Sequence, residues 1–60
     1  MNTQDASAMA RRLFDTQGAR AIPEAAQKAA SFEDAGDSEQ ARFWRRVEAV
    51  LREIRGPRQS

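Results

Sequence analysis

The chain has 60 residues, of which 40% are hydrophobic, and ten basic against nine acidic side chains give a formal net charge of +1. A chain of this length forms one domain at most and buries only about 60% of the surface that its unfolded form exposes. It contains no cysteine and no histidine, which excludes disulfides, thiolate and imidazole catalysis and the usual zinc ligand sets. We therefore expect a single domain over residues 1–60 that is not an enzyme.

The arrangement of apolar residues along the chain indicates the cellular location of the protein. No apolar run approaches the length of about 20 residues that a membrane span requires. The first residues, MNTQDASAMARR, lack the basic and then apolar order of a secretion signal. These features predict a cytoplasmic protein without a membrane partner.

The first predicted helix covers residues 5 to 17. Asp5 is its candidate N-cap, because a carboxylate there accepts hydrogen bonds from the free backbone amides of the first turn. Gly18 ends the helix. Apolar residues recur at helical spacing along one face: Ala6, Met9, Ala10, Leu13 and Phe14.

The second predicted helix covers residues 22 to 35. Residues 19 to 22 form a short connection before it, and Pro23 marks its first turn because the missing amide is not needed there. The helix is rich in alanine, with Phe32 as its large aromatic residue. Since small side chains let a neighbouring helix approach closely, we expect this helix to lie tightly against the next one.

The third predicted helix covers residues 37 to 55 and carries most of the hydrophobic mass. Asp37 caps it, and Gln40 stands at the capping-box position from which its side chain reaches back to the amide of Asp37. Gly56 and Pro57 end the helix, and residues 56–60 form a tail. One face is apolar and should form the core: Trp44, Val47, Leu51 and Ile54.

The link between the second and third helices is too short for anything but a reversal of the chain. The sequence therefore predicts an all-α, small three-helix domain with an antiparallel hairpin of helices two and three.

Acidic residues gather around this link. Their spacing lacks the alternating ligands of a calcium loop, so we interpret them as a solvated helix terminus rather than a metal site. No catalytic residue, cofactor or small-molecule substrate is predicted either. The acidic residues are Glu33, Asp34, Asp37 and Glu39.

Arginines dominate the carboxyl-terminal half. Gathered on one face, they would neutralise phosphates, which makes nucleic-acid binding the alternative function. Glu48, however, stands three and four residues from Arg45 and Arg52 and should pair with both. The candidate contacts are Arg42, Arg45, Arg46, Arg52, Arg55 and Arg58.

Phe43 and Val50 lie on the rim of the apolar arc of the third helix, where two shorter helices do not fully cover them. We therefore predict that they form a protein interface, flanked by Arg42 and Arg46, with a second copy of the chain or with a larger protein. The predicted function is a non-catalytic protein–protein interaction module that acts as a small accessory or regulatory subunit.

Two resemblances accompany this interpretation. Over residues 29–41 the chain resembles a tetratricopeptide-type helical hairpin in its small Ala29, aromatic Phe32, Gly36-Asp37 reversal and small Ala41. The overall layout, which ends in FWRRVEAVLREIRGP, also resembles a family of short all-α bacterial proteins of unknown function. The second resemblance implies a bacterial source and brings no activity with it.

Overall fold

The computed structural model describes residues 4–56, with side chains from Ala6 onward, and the regular structure in this part of the chain is entirely helical. Helix α1 (Gln4–Gln17) leads through a 3-10 turn (Gly18–Arg20) into α2 (Ala21–Ala35), and α3 (Ser38–Arg55) follows. The predicted all-α class is confirmed, and each predicted helix end lies within one residue of the observed one. The predicted tail, apart from Gly56, lies outside the described residues, as does Arg58.

The start of α1 differs from the prediction. The helix already begins at Gln4, so Asp5 has helical backbone geometry. An N-cap residue requires a non-helical backbone, and the assignment of the cap to Asp5 was therefore wrong.

The segment between α1 and α2 is more regular than predicted. Gly18 takes a positive φ of 67°, which ends α1 at little cost because glycine has no Cβ. The amide of Ala21 then donates to the carbonyl of Gly18, which closes a 3-10 turn, and α2 starts at Ala21. Residues 19–22 are therefore helical rather than a loose connection. Pro23 still lies in the first turn of α2, where its missing amide costs no hydrogen bond.

Two residues, Gly36 and Asp37, connect α2 to α3. Gly36 adopts a left-handed conformation with a φ of 80°, and its amide donates to the carbonyl of Glu33 at 3.1 Å. The amide of Asp37 donates to the carbonyl of Phe32 at 2.9 Å, which completes a Schellman motif. Oδ1 of Asp37 in turn accepts from the amide of Gln40 at 3.3 Å and caps α3. The predicted return bond from Gln40 to the amide of Asp37 was wrong, because that amide is used to end α2.

Helices α1 and α2 both pack on α3, and the contact between α2 and α3 is the more extensive one. Alanine fills most of the buried positions, since six of the eight fully buried apolar residues in the described part are alanines. The two large ones are Val47 and Leu51, both with no exposed surface. Small side chains allow close approach of the backbones. The alanines are Ala6, Ala10, Ala21, Ala25, Ala29 and Ala41.

The larger apolar side chains lie around this alanine-rich core rather than within it. Nine of them are only partly buried, including Trp44, which packs against the core as predicted but keeps part of its surface exposed. Phe32 stands apart from the main cluster, whereas the other eight pack on it. The nine are Met9, Leu13, Phe14, Ile22, Phe32, Phe43, Trp44, Val50 and Ile54.

Leu51 is the residue on which the fold should depend most. Leu51→Ala leaves a cavity among fully buried neighbours and should lower the free energy of unfolding by about 2–5 kcal/mol. The total free energy of unfolding of a chain of 60 residues is about 3–9 kcal/mol. Denaturant titration followed by circular dichroism measures the change, with Ala49→Ser at an exposed position of the same helix as the control. Equal midpoints for the two variants would contradict this packing.

Candidate protein-interaction surface

The predicted interface residues lie on one flank of α3. Phe43 and Val50, which we call the α3 rim, are seven residues apart and partly buried, and both pack against the core cluster. Their own chain therefore covers each of them in part. Arg42 and Arg46 are exposed beside the rim, as the helical spacing predicts. The result is an apolar strip bordered by cations.

An aromatic contact joins the rim to the opposite edge of the apolar face. The rings of Phe43 and Trp44 meet edge to face, with centroids 5.6 Å apart and planes at 87°. This is a favoured geometry for aromatic pairs. Nζ of Lys28, on α2, lies 5.4 Å from the centroid of the Trp44 ring, within the range of a cation–π interaction. The contact fixes Trp44 between α2 and Phe43.

Ion pairs follow the other flank of α3. The guanidinium of Arg45 donates through Nε and Nη2 to the two carboxylate oxygens of Glu33, both at 3.2 Å. Nη1 of Arg45 donates to Glu48 at 3.3 Å, and Arg52 donates to the other oxygen of Glu48 at 2.8 Å. The hydrogen bonding of the Arg45 guanidinium to the Glu33 carboxylate is the main cause that raises the pKa of Arg45. These four side chains form one continuous network of ion pairs that links α2 to α3.

Part of this network follows from the sequence and part does not. The pairing of Glu48 with Arg45 and Arg52 was predicted from spacings of three and four residues and is confirmed. Glu33 and Lys28 were missed, because they come from α2 and reach α3 only through the packing of the two helices. The one local signal is that Glu33 lies within a turn of the glycine that ends α2.

The candidate arginines do not act as one group. Arg45 and Arg52 are held by carboxylates, whereas Arg42, Arg46 and Arg55 are exposed, without a carboxylate partner among the side chains of residues 6–56. On the helix, Arg42 and Arg46 lie on the rim side, and Arg45 and Arg52 lie on the opposite flank. Of the three exposed arginines, Arg42 and Arg46 therefore lie beside the rim, whereas Arg55, four residues after Leu51, lies on the other side of the apolar face.

The acidic residues at the turn remain open to solvent. Asp34, Asp37 and Glu39 are exposed, and no group of three or more acidic side chains between residues 6 and 56 is arranged to hold a metal ion. A shallow depression of about 280 Å³ lies beside them. Of its charged lining residues, Glu33 and Arg45 are paired with each other. It is lined by Glu33, Gly36, Ser38, Ala41, Arg42 and Arg45.

None of the polar or charged side chains from Ala6 to Gly56 is fully buried. None of the helices described is long and apolar enough to cross a membrane. The surface of the described residues places apolar side chains next to charges of both signs.

Comparisons with protein-family models, with characterised proteins and with solved structures find no match to this chain. The tetratricopeptide-type and short bacterial resemblances therefore stay predictions.

Glu48 should contribute measurably to stability, because its side chain is only 13% exposed and bonds two arginines. Glu48→Gln keeps the shape and removes the charge. Since both arginines are largely exposed and screened by solvent, we expect a decrease in Tm of about 2–5 °C. Glu53→Gln, an exposed change on the same helix, is the control and should leave Tm nearly unchanged. In 1 M salt the difference between the variants should shrink, and a difference that persists there would contradict an ionic origin.

Proposed function

We propose that the chain is a non-catalytic protein–protein interaction module, a small accessory or regulatory subunit. The observation that carries this proposal is the incomplete burial of large apolar side chains: of those that the structure describes, nine remain partly exposed, and only Val47 and Leu51 are fully covered. Apolar surface rimmed by charged groups is typical of a surface that another protein covers.

The proposed scaffold is a three-helix domain in which α2 and α3 form an antiparallel hairpin. The two-residue turn at Gly36 and Asp37 supports this arrangement, as do the contacts that join the helices beyond it. The later half of α2 supplies Glu33 and Lys28, which reach Arg45 and Trp44 in the earlier half of α3. A reversal of the chain brings these halves together.

Within this scaffold the α3 rim is the proposed contact. Phe43 provides a large aromatic side chain, and aromatic residues are enriched in the cores of protein interfaces. Arg42 and Arg46 border it with exposed charge, and such border charges mainly affect the rate and specificity of association.

The double substitution Phe43→Ser and Val50→Ser tests the contact. Affinity capture from the native cell lysate with the parent chain as bait should recover partners that the double variant loses. Ala49→Ser, at an exposed position of the same helix, should capture the same proteins as the parent. Circular dichroism must show that all baits remain helical. Recovery of the same proteins by the parent and the double variant would contradict the proposed surface.

Nucleic-acid binding remains the second candidate because Arg42, Arg46 and Arg55 are exposed. It is less favoured, since Glu33 and Glu48 occupy Arg45 and Arg52 and reduce the positive patch. We expect no binding to generic duplex or single-stranded nucleic acid at low salt, measured by fluorescence anisotropy. Binding that falls steeply between about 50 and 200 mM salt would instead support phosphate recognition.

A further inference from the structure

One flank of α3 carries apolar residues and charges of both signs in a single stripe. Its members follow one another at intervals of four, three, four and three residues, which keeps them on one side of the helix. Both apolar members are the partly buried rim residues, and the charged members are exposed. The stripe is Glu39, Phe43, Arg46, Val50 and Glu53.

We infer that the partner at the α3 rim is a second copy of this chain, with the two α3 helices antiparallel about a twofold axis beside Phe43. The inference rests on the proposed function and names its partner. An antiparallel arrangement about this axis brings Arg46 opposite Glu39 of the second copy, because the two residues lie on either side of Phe43 at nearly equal distances along the helix. The twofold axis repeats this contact, so the dimer contains two ion pairs between Arg46 and Glu39.

The charges of the stripe favour this register, whereas Arg42, outside the stripe and one residue from Phe43, would approach Arg42 of the second copy there. An axis midway between Phe43 and Val50 would bring Arg46 against Arg46 of the second copy, and like charges at an interface are costly. An axis beside Val50 would pair Arg46 with Glu53 of the second copy, but it would leave the larger Phe43 at the edge of the contact. The axis beside Phe43 pairs opposite charges and places the aromatic ring at the centre, where anchor residues contribute most.

The same stripe explains why a second copy fits. A twofold interface requires a surface that is complementary to itself, and the flank supplies both the cation and the anion of each pair. Arg46 has no carboxylate partner among the side chains that the structure describes, from Ala6 to Gly56, so its charge is available. The net charge of +1 leaves little overall repulsion between copies.

Charge reversal with restoration tests the inference. The variant Glu39→Arg places two cations opposite each other, and Arg46→Glu places two anions opposite each other. Sedimentation equilibrium should show that each variant alone self-associates about tenfold or more weakly than the parent. An equimolar mixture of the two should recover association, because each contact in the mixed dimer again joins opposite charges.

Glu53→Arg is the matched control, with the same change of charge on the same flank but outside the proposed pair. It should self-associate as the parent does. Loss of association in Glu53→Arg with retention in Glu39→Arg would overturn the register beside Phe43. Far-ultraviolet circular dichroism of each variant shows whether a loss comes from unfolding, and the recovery in the mixture cannot arise from unfolded chains.

A parent chain that stays monomeric up to about 1 mM would overturn the second copy as partner, since even a weak dimer populates at that concentration. Failure of the mixture to recover association would do the same. Neither result decides the proposed function, which depends on the capture comparison between the parent and the rim double variant.

Discussion

The close packing of alanine between α2 and α3 is the constraint on which the rest of the structure depends. Ala25 and Ala29 from α2 and Ala41 from α3 are almost completely buried. Side chains this small bring the backbones together but supply little apolar area, so the larger side chains lie at the margins of the core. The exposed apolar surface therefore follows from the alanines at the helix contacts.

The helix ends were predictable because their signals are local. Gly18 and Gly36 both take positive φ angles, and each ends a helix where glycine alone suggested it. The details of hydrogen bonding at those ends were less predictable, because one group has several possible partners. The amide of Asp37 is the clear example, since it ends α2 through Phe32 and is then not available to the side chain of Gln40.

The candidate surface was likewise predictable only in part. Spacing along α3 was enough to predict that Glu48 pairs with two arginines and that Phe43 and Val50 lie on the rim, because both depend on one helix. The contacts of Glu33 and Lys28 with α3 depend on how α2 is rotated toward α3, and no pattern within α2 predicts that rotation. The proposed partner of the rim does not follow from these spacings, because a single chain carries only half of an interface.

The proposed surface depends on the partial exposure of large side chains in the isolated chain, and Trp44, the single tryptophan, reports on this exposure directly. Acrylamide quenching of its fluorescence in a dilute sample measures how far solvent reaches the ring. We expect quenching between that of the urea-unfolded chain and that of a tryptophan sealed in a protein core. A Trp44 that acrylamide fails to quench would show a closed core, which is incompatible with the partial exposure of this side chain.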